Sequence, residues 1–177
     1  MLQIISGKYA RRALAQPPSS LTRPVNEKVR GAIFSSLGDE VVGAKVLDIF
    51  AGSGALGLEA LSRGAESVDF VEKHSRVARV IAQNVDNLGV SGGVQIFTRT
   101  AEQFLRHIKD EYDVILMDPP YADFDIAIVE QAGDLLQYQG TLIVSTSSKV
   151  EFEAPARLEV VRQKAYGDSM ITVLTKK

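Results

Sequence analysis

From Lys45 onward the chain alternates short apolar runs with helical patterns, and that alternation leaves few folds open. Lys45–Ile49 reads as a buried strand and Ala55–Arg63 as a helix closed by Gly64. Val68–Val71 is a second strand, followed by a helix over Ser75–Leu88 that ends at Gly89. Val94–Phe97, Val114–Met117 and Thr141–Val144 read as further strands, with helices expected over Ala101–Ile108 and Phe124–Leu136. Strands and helices alternating at this spacing build a parallel sheet covered on both faces. The rhythm breaks at the end. Leu158–Ala165 and Met170–Thr175 both read as strands, and the four residues Tyr166–Ser169 between them are too few for a parallel crossover, so this pair is an antiparallel hairpin. The expected fold is therefore α/β, a doubly wound, mostly parallel seven-stranded sheet closed by an antiparallel hairpin. It departs from the six parallel strands of the dinucleotide-binding pattern.

Residues 1–43 stand apart and are read as a small basic extension to a main domain of residues 44–177. Gln3-Ile4-Ile5 and the segment near Ala13-Leu14, joined through Gly7, suit a small hairpin. Asn26 is a suitable N-cap for a helix whose Val29, Ala32, Ile33 and Leu37 share one face, and Gly38 ends it. The net charge of −2 over 177 residues is unevenly spread, since residues 1–30 carry +5 and the remainder −7. A basic head on an acidic body suits an anionic partner, nucleic acid foremost.

Other classes are excluded by what is missing. The chain has no cysteine, hence no disulfide framework, thiol nucleophile or Cys-based zinc site. Its two histidines, His74 and His107, are too far apart in sequence for a His-rich metal site, and no metal is expected. No run reaches the ~18 apolar residues of a membrane helix, and the amino terminus lacks a signal-peptide pattern. A cytoplasmic protein with no membrane association is expected.

Two motifs carry chemistry. Gly52, Gly54 and Gly57 follow the first strand, open a helix and match G-x-G-x-x-G, and Glu72 ends the second strand twenty residues after Gly52. Such a loop brings backbone N–H groups and a helix amino terminus to a ligand, while the carboxylate suits ribose hydroxyls. Asp48 helps to choose among adenosine cofactors. A carboxylate at the end of strand one repels a pyrophosphate but welcomes the ammonium group of a methionine moiety. S-adenosylmethionine has that ammonium, a carboxylate for the helix terminus and a ribose for Glu72.

The second motif, Asp118-Pro119-Pro120-Tyr121, ends the apolar run of strand four. Proline fixes φ and lacks a backbone donor, so the Pro119 carbonyl and the Asp118 carboxylate can accept the two hydrogens of one amine while Tyr121 stacks on a flat ring. Strands one and four are neighbours in a doubly wound sheet, where ligands bind beyond the strand carboxyl ends. Donor and acceptor sites thus converge.

On these residues the chain resembles the RsmD-type bacterial 16S ribosomal RNA guanine-N2 methyltransferases. The resemblance spans Ile4–Lys8, Thr22-Arg23-Pro24, Val29-Arg30, Ile33-Phe34, Leu47–Ala65, Val71-Glu72-Lys73, the Asp118–Tyr121 tetrad and Tyr166-Gly167. It implies a class I methyltransferase that uses S-adenosylmethionine to methylate the exocyclic N2 of guanine 966 in 16S RNA. It implies cofactor contacts from Asp48, Phe50, Ala51, Gly52, Ser53, Gly54, Glu72, Lys73, Thr100 and Ala101, and catalysis by Asp118, Pro119, Pro120 and Tyr121. Lys8, Arg11, Arg12, Arg23 and Arg30 are the expected contacts to the RNA backbone. The partner would be 16S RNA within the small subunit or an assembly intermediate, met by a monomer. Three positions depart from the family pattern: Thr100 in place of Asp or Asn, Glu27 in place of Asp, and Ser145-Thr146-Ser147 where an acidic residue often follows strand five. Two other readings share parts of the pattern. An amino-methyltransferase acting on adenine in DNA or on a glutamine side chain shares the tetrad, and a nicotinamide-dependent oxidoreductase shares the glycine loop but not Asp48 or the tetrad.

Overall fold

The computed structural model describes residues 1–18, 26–120 and 124–177; Arg23 and Tyr121 lie outside the described residues. Strands β1 (Lys45–Ile49), β2 (Ser67–Val71), β3 (Val94–Phe97), β4 (Tyr112–Met117), β5 (Leu136–Ser147), β6 (Leu158–Tyr166) and β7 (Ser169–Lys176) form one sheet in the order β3-β2-β1-β4-β5-β7-β6. The first five are parallel, and β7 pairs antiparallel with both β5 and β6. The expected fold holds, including the closing hairpin.

Helices α1 (Glu27–Leu37), α2 (Ala55–Ser62), α3 (Ser75–Leu88), α4 (Ala101–Leu105) and α5 (Ile126–Asp134) cover the two faces. Even-numbered positions of the central strands, among them Val46, Val68, Phe70, Val114 and Leu116, pack with residues of α1, α2 and α3. Odd-numbered positions, among them Leu47, Ile49, Val71, Ile115 and Met117, pack with residues of α4 and α5. That parity follows from the strand pleat, and it decides where the residues just past each strand will point.

Described residues of the first 43 share this core. Leu2, Ile4 and Leu14 join the same cluster as Val46 and Leu58. Gln3 bridges Ala13 in antiparallel fashion, so the amino-terminal hairpin exists but is a single bridge with flanking bonds. Asn26 caps α1, its side chain accepting from Lys28 N–H at 2.8 Å.

Several element ends differ from the sequence expectation, among them those of α5, which runs Ile126–Asp134 where Phe124–Leu136 is expected. α4 stops at Leu105, and β5 starts at Leu136 rather than Thr141. Leu136 pairs with Tyr112 before the register shifts, which leaves Gln137, Tyr138 and Gln139 in an exposed bulge with Gln139 at φ 63°. A polar bulge hides a strand from any apolar-run criterion. Among the described residues no helix is long and apolar enough to cross a membrane.

Candidate active site

The carboxyl ends of β1, β2 and β4 deliver three carboxylates to one rim and one face. Asp48 belongs to β1, while Glu72 and Asp118 directly follow β2 and β4. In register Asp48 lies opposite Phe70 and Leu116, so Glu72 and Asp118 come two residues further along the same face as Phe70 and Leu116. Asp48 is 1% exposed, and its carboxylate accepts from Gly57 N–H at 2.8 Å. Burial pushes its carboxyl up to about 7; the Gly57 bond opposes that rise, and the charges of Asp118 and Glu72 add to it. Glu72 is also buried and accepts from Gly52 N–H at 3.0 Å and His74 N–H at 2.8 Å, one on each oxygen. These bonds hold the acid against the glycine loop, and each oxygen keeps a further lone pair for a ligand hydroxyl.

The loop itself is built for close approach. Phe50, Gly52 and Gly54 have φ of 64°, 56° and 79°, a left-handed conformation that glycine adopts without strain and Phe50 does not. Ala51 N–H bonds to Val71 O at 3.0 Å and Gly54 N–H to Ala51 O at 2.8 Å, which closes the turn. Ser53 O accepts from Asn84 Nδ2 at 3.0 Å, tying the loop to α3. Gly57 answers to a different demand. A Cβ there would come within 2.3 Å of the Phe70 ring, so only glycine lets α2 sit against β2 and aim its N–H at Asp48.

Lys73 is exposed beside Glu72. Thr100 caps α4 in a reciprocal capping box: its hydroxyl accepts from Gln103 N–H at 3.2 Å, and Gln103 returns a bond to Thr100 N–H at 3.1 Å. The Thr100 hydroxyl also bonds to Glu102, which is the chief reason that carboxyl lies below its usual range. The oxygen of Thr100 is thus engaged locally, while the N–H of Ala101, in the first turn of α4, has no intrahelical acceptor. Asp118 is half-buried, Pro119 buried and Pro120 exposed.

The set fits S-adenosylmethionine. A buried carboxylate flanked by carboxylates suits a ligand with an ammonium and a sulfonium, and Glu72 is preset for a diol. Among the described residues no group of carboxylates or histidines is placed to hold a metal ion.

Of the expected RNA contacts, the described ones, Lys8, Arg11, Arg12 and Arg30, are not gathered at this rim. Arg30 is a correction. It is fully buried, its Nη2 donates to Gln3 O, and its Nε lies 3.9 Å from a Glu59 oxygen. Burial pushes its pKa down, with Glu59 and Glu27 opposing, so it braces the head and cannot meet a phosphate. Lys8, Arg11 and Arg12 are exposed, but they stand at the hairpin tip beside the carboxyl end of α2. Lys8 N–H bonds to Ser62 O at 2.7 Å, and Arg12 Nη2 donates to Asn87 O near the end of α3. The eight residues of α2 put about 12 Å between that end and the glycine loop.

Phe124 opens the helix expected over Phe124–Leu136, and no sequence motif singles out Phe152. Their ring centroids are 5.2 Å apart, and both line a cleft of about 510 Å³ with Asp125, Ile126, Val150 and Glu151. The cleft's Phe124 comes four residues after Pro120 in the chain. The alternation of Val150 and Phe152 with acids in the segment after β5 is the signal that could have found it.

Comparison with known proteins converges on one family. The family model described as "Conserved hypothetical protein 95" matches residues 2–175. Ribosomal RNA small subunit methyltransferase D of Escherichia coli (strain K12) is 33% identical over 173 residues, covering 94% of this chain and 85% of that one. YlbH of Bacillus subtilis (strain 168) is 30% identical over 183 residues, covering 99% of this chain and 100% of its own. The solved structure of YhhF from Escherichia coli superposes with a TM-score of 0.89 at 28% identity, covering 99% and 97% of the two chains. A Thermus thermophilus protein superposes with a TM-score of 0.84 at 28% identity, covering 98% of each. Matched by that model over residues 2–175 and by these two relatives over 94–99% of its length, the chain belongs to this RsmD-type methyltransferase family.

Proposed function

We propose that this methyltransferase transfers the methyl group of S-adenosylmethionine to the exocyclic N2 of a guanine in 16S ribosomal RNA, guanine 966 by analogy with the family. The observation that carries the reading is the pairing of β1 with β4, Asp48 opposite Leu116 and Ile49 opposite Met117, which sets Asp118 one strand from Asp48 and two from Glu72. When bound, S-adenosylmethionine supplies an electrophilic methyl on a sulfonium. The protein's task is the nucleophile. An exocyclic amine shares its lone pair with the ring and attacks poorly. Asp118 and the Pro119 carbonyl accept its two hydrogens, which favours a pyramidal nitrogen with a localised lone pair. Tyr121 stacks on the base and sets its plane. Fixing the nitrogen in line with the methyl supplies much of the acceleration, and the surplus proton leaves to Asp118 or to water. The base must first leave its stack, which costs a few kcal/mol and favours a loop or junction over duplex.

The test is incubation with labelled S-adenosylmethionine and either unmodified small subunits or naked 16S RNA, followed by mapping of the methyl group. One labelled guanine N2 is the expected result. Label on adenine N6 or on a protein glutamine would replace this substrate with one of the other amines that the tetrad suits. Binding of a nicotinamide cofactor in place of S-adenosylmethionine would remove the reaction altogether.

A further inference from the structure

β6 is the outermost strand, and its side chains from Arg162 onward alternate across the pleat. Arg162, Lys164 and Tyr166 stand opposite Val173, Ile171 and Ser169 of β7, and directly opposed residues share a face. Ile171 in turn opposes Ser145 of β5. Ser145 is level with Asp118, because Met117 pairs with Val144 one step earlier. One row therefore crosses the sheet from Asp118 through Ser145 and Ile171 to Lys164, a distance of about 14 Å at three strand spacings.

Arg162 and Lys164 are exposed, and Lys164 Nζ lies 5.4 Å from the centroid of the half-buried Tyr166 ring. From Val160 to Gly167 the strand and its turn carry no carboxylate; Glu159 and the exposed Asp168 flank that stretch. α1 shares a hydrophobic cluster with Ile171 and Val173 of β7. The route from β6 to Asp118 thus runs over the rim, where exposed Lys149 follows the end of β5. Charge on an edge strand discourages strand pairing, and the bulge at Val161 already serves that end. An aromatic ring beneath the cation and an alignment with Asp118 are not needed for it. Both suit a polyanion with flat bases.

We propose that this face of β6, together with Lys149, holds the single-stranded RNA flanking the target base. Phosphates meet Arg162 and Lys164, and a neighbouring base stacks on Tyr166. The proposal rests on the ribosomal RNA reading given above. The test is methylation of unmodified small subunits and of naked 16S RNA by the full chain across a salt series. Arg162→Glu combined with Lys164→Glu is compared with Lys8→Glu/Arg11→Glu/Arg12→Glu, and S-adenosylmethionine affinity and melting temperature are measured alongside. The β6 variant should raise the RNA KM about tenfold and flatten the salt slope by about 1.4, two single-strand phosphate contacts. Its kcat, cofactor affinity and melting temperature should stay near wild type, and Arg162→Lys combined with Lys164→Arg should restore the KM. An unmoved β6 variant beside an active wild type would remove the track while leaving the RNA reading intact. A wild type that binds cofactor yet methylates neither RNA nor particle would remove both.

Discussion

Two buried acids, Glu59 within α2 and Asp48 bonded to it, do opposite things. Glu59, fully buried, accepts from Ile5 N–H at 2.7 Å, Ser6 N–H at 3.0 Å and Arg63 Nε at 2.8 Å, and it lies beside Arg30. It is surrounded by its own counter-charges, and it fastens the head to the sheet domain. Asp48, almost as buried, has one backbone N–H, and the charges acting on it are those of Asp118 and Glu72. A buried carboxylate among cations completes a structure; one among carboxylates is set for a cation from outside.

The most severe break in this comparison should come from Asp118→Ala. If Asp118 serves the acceptor, kcat should fall by about 10³-fold, as for loss of a preorganised hydrogen-bonding group, while S-adenosylmethionine affinity stays within about threefold. Calorimetric titration beside single-turnover rates reads both. A matching loss of cofactor affinity would move Asp118 to the donor side.

Glu59→Ala should be chiefly a stability variant. It strands Arg30 without its partner, and breaking a buried ion pair costs about 3–5 kcal/mol, a fall of roughly 10 °C in melting temperature for a chain of this size. An unchanged melting temperature would end its role as the fastening of the head.

Asp48→Asn should do the reverse. The folded-state pKa of Asp48, about 7, is above its ordinary 3.8, so the folded state holds the proton more tightly than the unfolded one. Stability that is present below pH 4 is lost as pH rises toward 7, about 4 kcal/mol in the cofactor-free protein. The amide removes that loss, so the variant should melt higher than wild type at pH 8 and bind cofactor at least about tenfold more weakly. Because the bound cation favours the ionised acid, wild-type affinity should rise from pH 6 to 8 and the variant's should not. Parallel melting curves for the two proteins across this range would contradict the shifted acid.

The smallest effect belongs to Thr100→Asp. Aspartate keeps the α4 cap and adds an acceptor for the adenine amine, so cofactor affinity should rise about threefold with melting unchanged. A fall would show that Glu102 repels the new charge.

How much of this is legible from the residues depends on which signal each feature leaves. The strand runs, the closing hairpin, the glycine loop and the Asn26 cap are local patterns, and local patterns survive into the fold. Arg30 misleads because charge reads as a sign of surface. Yet Arg30, Ile33, Phe34 and Leu37 fall at i, i+3, i+4 and i+7, the buried stripe of α1. Glu59 has its backbone partners, Ile5 and Ser6, 54 and 53 residues away, and no local pattern encodes such a contact. The far position of Lys8, Arg11 and Arg12 is equally non-local, because it depends on which end of α2 receives the hairpin.

The ladder between β1 and β4 has a consequence for how such an enzyme can change. In the proposed reaction the gap that the methyl crosses is set between two adjacent strands, so it is indifferent to the length of whatever chain is looped between them. Insertions after Gly64 or Gly89 leave that ruler untouched. A slip of a single residue in β4 would turn Asp118 to the opposite side of the sheet, and no adjustment of loops could bring it back.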